Sequence, residues 1–282
     1  MKNYYCLVAG LPDIAPDDAK LHFTVADFKN DCLPQLSADD RRLVELFYRQ
    51  FDNRNLLRLL ADAETEDFDE RGCLTREALS EAVDAVRKGG DRSPEIPVYI
   101  WRFLDKTVGP EAEEQETRLS EDVLAAFYYA YALQCGNEFF ERWFTFNLNL
   151  NNILIALTAR RFGFSAASYL VGENEVTEAL RTSAARDFGL AAEWDYYDEL
   201  VRISEVTDPV EKEKKLDMLK WNWLEEETFF HYFSVEKVFA FLLKLDIIER
   251  WSVMDKEKGG AIFRRLIDSL KEEVEVPAEY KS

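Results

Sequence analysis

An all-α protein is the fold class this sequence predicts, on three observations. Apolar residues recur at three- and four-residue spacing along most of the chain. Glycine (11) and proline (8) are scarce and fall mainly between those stretches. A segment type also occurs three times: an apolar residue, a residue able to cap a helix, then a burst of apolar residues. The copies are residues 51–60 with Asp52, residues 148–157 with Asn149, and residues 233–242 with Ser234. They begin 97 and 85 residues apart and so divide 282 residues into near thirds. Spaced self-similarity is a property of architecture. It predicts three similar helical modules, over residues 1–100, 101–190 and 191–282.

The elements follow in order. Residues 4–8 are apolar enough for a lone strand or a helix start. Ser37 with Asp40 resembles a capping box, and Leu43, Leu46 and Phe47 follow at helical spacing. Asp52 is then expected to cap a new helix, with Leu56, Leu59 and Leu60 on one face. Thr75 caps another, with Leu79, Ala82, Val83 and Val86 as its buried stripe and Gly89-Gly90 as its stop. Residues 91–98 and 109–118 are expected to be connections. A long helix is expected over about 120–133, ending at Gly136-Asn137. Residues 142–161 carry the second copy, with Asn149 or Asn151 as the cap and Arg160-Arg161 suited to the helix dipole. Ser165, Glu173 and Leu190 are expected to open further helices. Asp208-Pro209 is a clear start, a capping acid followed by proline at the first helical position. The third copy should run from Ser234 to about Trp251. Gly259-Gly260 should separate it from a last amphipathic helix carrying Ile262, Phe263, Leu266, Ile267 and Leu270.

Composition narrows the function. Apolar residues make up 47% of the chain and aromatic residues 13%, ample for packed cores. The formal charge is −20, from 55 acidic and 35 basic side chains. Such a surface repels phosphate backbones and anionic headgroups, so nucleic acid is not an expected partner and direct membrane insertion is not expected. Four scattered cysteines without a CxxC pair fit reduced thiols in the cytoplasm. No apolar stretch reaches the length of a spanning helix. Any membrane association is therefore expected to be peripheral, through partner subunits.

Motifs for chemistry are weak. Asp67 to Leu74 opens like an EF-hand loop, but position five is Arg71 and position twelve is Ala78 where a bidentate glutamate belongs. Glu227 and His231 are four apart, not the three of a helical di-iron pair, and the other histidine is His22. No nucleophile elbow or phosphate-binding glycine motif is present. The acidic doublets Asp17-Asp18 and Asp39-Asp40 do not form a repeated aspartate-rich helix. No catalytic residue, cofactor or metal is expected. The aromatic clusters, Trp143 to Phe146 and Trp221 to Trp223 with Phe229-Phe230, suit core packing or a partner-binding surface. Asn147, Asn149, Asn151 and Asn152 suit a cap and turn, or hydrogen bonds to the backbone of a neighbouring module.

The pattern of Asp52, Asn55, Leu56, Leu59 and Leu60 is repeated as Asn149, Asn152, Ile153 and Leu154, with Arg160 downstream. It resembles the helix-start motif of the C/d-subunit family of A/V-type ATPases. The opening from Tyr4 to Pro12 is also similar to a bacterial family of unassigned function whose members tend to sit among V-type ATPase genes. The third copy departs most, with Ser234 at the capping position and Lys237 in place of Asn55. The resemblance implies an all-helical funnel of three modules about a pseudo-threefold axis. It implies a non-catalytic rotor part of the central stalk, joining the rotating shaft to the membrane proteolipid ring. Contact surfaces are then expected near Asp52, Asn55 and Arg58, near Asn149, Asn152 and Arg160, and near Ser234 and Lys237. The residues leave open an unrelated helical-repeat adaptor, which would show a curved array with a concave face, and a helical enzyme, which would need a pocket of converging titratable groups.

Overall fold

The computed structural model describes residues 3–16, 22–110 and 117–273, and side chains for all of these except 117–120 and 255–273. Helices are the regular structure among the described residues, with no strand. In order they are α1 (Tyr5–Gly10), α2 (Val25–Asp31), α3 (Ala38–Ala61), α4 (Arg76–Lys88), α5 (Val98–Val108), α6 (Thr117–Ala132), α7 (Glu138–Phe162), α8 (Glu175–Thr182), α9 (Tyr197–Ser204), α10 (Pro209–Glu227) and α11 (Val235–Glu273). A 3-10 turn at Leu33–Gln35 joins α2 to α3. The all-α class predicted from the sequence therefore holds.

Capping chemistry sets many of the starts. The Ser37 hydroxyl accepts from the Asp40 N–H at the head of α3, and Thr75 accepts from Ala78 at α4. Asp208 accepts from Val210 and Glu211, with Pro209 in the first turn of α10. α4 stops at Gly89 in the left-handed region (φ 70°), where a Cβ would be strained. Its stripe of Leu79, Ala82, Val83 and Val86 is buried as its spacing requires.

The structure corrects several expectations. Asp52 opens no helix, because α3 runs unbroken through it. Neither Asn149 nor Asn151 caps α7. Asn137 does, its Oδ1 accepting from the Phe139 and Phe140 N–H groups at 3.1 and 3.3 Å. Asp52, Asn55, Asn149 and Asn152 face inward and are spent on tertiary bonds, so they are unavailable to cap their own helix. No helix starts at Ser165 or Leu190: Asn174 caps α8, and α9 begins only at Tyr197. α11 continues through Gly259-Gly260, where two glycines raise the cost of helix without breaking it. The stripe from Ile262 to Leu270, the doublet Asp17-Asp18 and most of the 109–118 connection lie outside the described side chains or residues. Of the two forms expected for residues 4–8, the helix start is the one found: Tyr4 is the N-cap and α1 begins at Tyr5.

α3, α7 and α11 contribute to one continuous core, with Tyr48, Phe51, Phe140 and Phe239 almost fully buried within it. α10 packs along α11, and α8 and α9 along α7. A second core joins the end of α3 to α4, α5 and α6 through Leu56, Leu79, Ile100, Phe103 and Leu124.

Candidate functional site

The notable polar chemistry lies inside the protein. Asn55 is fully buried on α3. Its Oδ1 accepts from the Asp69 N–H at 2.8 Å and its Nδ2 donates to the Asp69 carbonyl at 2.9 Å. One turn earlier, Asp52 Oδ1 accepts from the Leu74 N–H at 2.9 Å while Oδ2 pairs with Arg49 at 2.9 Å. Burial pushes the Asp52 carboxyl up despite Arg49. Two side chains on a rigid helix thus fix the loop that resembled an EF-hand. Among the described residues no group of three or more carboxylate, histidine or cysteine side chains is placed to hold a metal ion.

The same device recurs on α7. Asn152, also fully buried, accepts from the Val171 N–H at 3.0 Å and donates to the Val171 carbonyl at 2.7 Å. One turn earlier, Asn149 Oδ1 accepts from Asn174 Nδ2 at 2.8 Å. A primary amide suits this task because it carries both a donor and an acceptor, and so satisfies both polar groups of one peptide residue.

A third instance lies on α11, in a register that differs from the 233–242 copy. Asp246 and Glu249 each stand 97 residues beyond Asn149 and Asn152, which stand 97 beyond Asp52 and Asn55. Glu249 Oε2 accepts from the Val25 N–H at 2.8 Å. A carboxylate can only accept, and the Val25 carbonyl is met instead by the Tyr48 hydroxyl at 3.1 Å. The held segment is the head of α2, capped by Thr24 and reached from the opposite end of the sequence. Like Asp52, Asp246 meets an arginine of its own helix, its Oδ2 standing 3.2 Å from Arg250 Nε, but among the described residues it accepts no bond from a loop.

The remaining expected positions fall around these clamps. Arg58 pairs with Asp67 at 3.1 Å and tethers the same loop as Asn55. Arg160 Nη1 donates to the Ala185 carbonyl at 3.1 Å, and its guanidinium lies 3.6 Å from the ring centre of Phe188, a residue held at φ 56°. Ser234 stands just before α11, 97 residues beyond the Asn137 cap of α7, so the 233–242 copy matches the head of α7 and not its clamp. Lys237 Nζ donates to Thr228 Oγ1 at 3.5 Å. Because Asp52, Asn55, Asn149 and Asn152 are buried (0%, 0%, 6% and 0% exposed), they cannot present the contact surface expected of them.

The three long helices also border a hollow of about 370 Å³, lined by Phe47, Phe51 and Arg54 of α3, Phe144 and Asn147 of α7, and Asp246 of α11 among others. A hollow of that size suits a small molecule. Outside, Phe229, Phe230, Tyr232 and Phe233, with Tyr5 beside them, form an exposed aromatic ridge between α10 and α11; Phe230 is 81% exposed. Among the described residues no helix is long and apolar enough to cross a membrane.

Neither curated proteins nor solved structures give a match to this chain. Residues 1–274 match the family described as "Protein of unknown function (DUF2764)", and the chain belongs to that family.

Proposed function

We propose that this chain is a non-catalytic central-stalk component of a V-type ATPase, coupling the rotating shaft to the membrane proteolipid ring. The observation that carries the reading is the recurrence, at a constant step of 97 residues, of a polar pair on each of three long helices, buried on α3 and α7 and half-buried on α11. It supports three equivalent modules arranged as a funnel about a pseudo-threefold axis, the architecture that the motif resemblance implies. A torque-bearing part needs stiffness between two interfaces, and side chains that fix loops to helices through buried bonds supply stiffness.

In this reading the shaft subunits dock on the rim of the funnel. The ridge from Phe229 to Phe233 offers one such contact, since large aromatic side chains dominate protein interfaces. The net charge of −20 suits a partner with a basic contact face.

The test is co-purification of the tagged full-length chain with the shaft and ring subunits encoded in the same genome. Association at micromolar concentration or tighter is expected. Its absence, with the isolated chain well folded, overturns the reading.

A further inference from the structure

We propose that the hollow between α3, α7 and α11 is a binding site for a small organic anion with a flat apolar body. Four cations line it: Arg54, Arg71, Lys220 and Arg250. Two are already paired. Arg71 meets Asp69 at 2.7 Å, and Arg250 meets Glu213, Asp217 and Asp246 at 2.8, 2.7 and 3.2 Å. The other two have no carboxylate within ion-pair distance among the described residues. Arg54 donates to Gln50 Oε1 at 3.2 Å, with its guanidinium 5.2 Å from the Phe51 ring centre. Lys220 has no hydrogen-bond partner among the described residues.

Lys220 is half-buried with no direct partner among the described residues, while Arg54 is exposed at the mouth of the hollow. A charge drawn from water without a direct partner is costly, so Lys220 is the group an anion relieves most. Burial depresses the Lys220 amine, and burial with Arg71 nearby depresses the Arg54 guanidinium; an incoming anion reverses both effects. The opposing groups are Asp246, with Glu213 and Asp217 near Lys220 and Asp69 near Arg54; Arg250 engages the first three and Arg71 the fourth. Burial pushes the Asp246 carboxyl up. The rest of the wall is aromatic, with Phe47, Phe51, Trp143 and Phe144 from two of the long helices. Asn147 donates its Nδ2 to the Trp143 carbonyl at 2.9 Å and so leaves its acceptor oxygen for other partners. At about 370 Å³ the hollow falls in the usual range for small-molecule sites, about 300–1,000 Å³. The ligand class is an aromatic or fused-ring carboxylate, sulfonate or phosphate, with its anionic group on Arg54 and Lys220.

The probe is 1-anilinonaphthalene-8-sulfonate, titrated into the full-length chain by fluorescence and calorimetry. One site per chain is expected. The uncharged N-phenyl-1-naphthylamine should bind at least about tenfold more weakly. Lys220→Met and Arg54→Met should each weaken the sulfonate about tenfold, the loss of one charge-assisted bond. Lys220→Arg should hold affinity within about threefold, which separates lost charge from a disturbed fold. Phe230→Ser, on the exposed ridge, should change nothing. Equal affinity for the two probes overturns the proposal. So does sulfonate binding that survives Lys220→Met and Arg54→Met or disappears with Phe230→Ser.

Discussion

Glu249 accepts a hydrogen bond from the backbone N–H of Val25 at 2.8 Å, across 224 positions of sequence. The bond places the head of α2 on α11, as the Asp69 loop is placed on α3 and Val171 on α7. Lys29 of α2 also donates to the Glu70 and Gly72 carbonyls, so this helix touches both the first clamped loop and the last long helix. Glu249→Ala leaves the Val25 N–H without its partner and is expected to cost about 1–3 kcal/mol. Glu249→Gln retains an acceptor and should cost less than half as much. Urea denaturation measures both, and hydrogen exchange at the Val25 amide should accelerate in the alanine variant alone.

Asn55→Ala and Asn152→Ala each strip two bonds from a half-buried peptide residue, Asp69 or Val171. Each is expected to lower stability by about 2–4 kcal/mol, the cost of one donor and one acceptor left unmet. Asn55→Asp and Asn152→Asp remove only the donor but bring a charge into a dry site, and should be no milder. Asp52→Asn gives α3 the residue that α7 carries at Asn149. It keeps an acceptor for the Leu74 N–H and should be tolerated far better than Asp52→Ala. Chemical denaturation of the four asparagine variants and the two Asp52 variants checks the ranking.

Gly72 and Gly172 are expected to resist alanine for different reasons. A Cβ at Gly72 would stand 2.5 Å from Asp52 Oδ1, so the clamp itself must move. Gly172 has φ 77°, and a Cβ there would stand 3.0 Å from Leu148 Cδ2. Each substitution should cost about 1–3 kcal/mol through steric strain. Gly10→Ala meets nothing within 4 Å and should be near neutral. Thermal melts of the three variants distinguish these outcomes.

Acid should loosen the first loop. The Arg71 hydrogen bonds hold the Asp69 carboxyl below its usual range. A depressed pKa in the folded state contributes stability that is complete above the unfolded carboxylate value, about 3.9, and is lost as pH falls through the depressed value. Arg71→Gln should therefore flatten the decline of stability between about pH 4 and pH 2. Denaturant midpoints across that window, wild type against variant, give the comparison.

Much of the fold is legible in the sequence because caps and stripes are local. Thr75 with Gly89, Asp208 with Pro209, and the α4 stripe all stand where their chemistry requires. The capping box of Thr24 and Asp27 is equally local, and it opens α2, a helix outside the expected set. The clamps are not legible from local pattern, since a buried Asp or Asn in mid-helix looks like a cap until its distant partner is known. Asp52 resembles a helix start for that reason. The third pair is hidden differently: Asp246 repeats Asp52 at the 97-residue step, but Glu249 replaces the amide of Asn55 and Asn152 with a longer carboxylate, so residue type conceals the correspondence. Spacing is the better guide because helix register, not side-chain identity, decides which residues face the same neighbour.

The most direct test of the coupling role is add-back to an ATPase assembled without this chain, with ATP hydrolysis and ion transport followed together in sealed vesicles. Hydrolysis without transport is expected in the chain's absence, with transport restored at a one-to-one ratio when the chain is supplied. Full ATP-driven transport by an assembly lacking the chain would contradict that role.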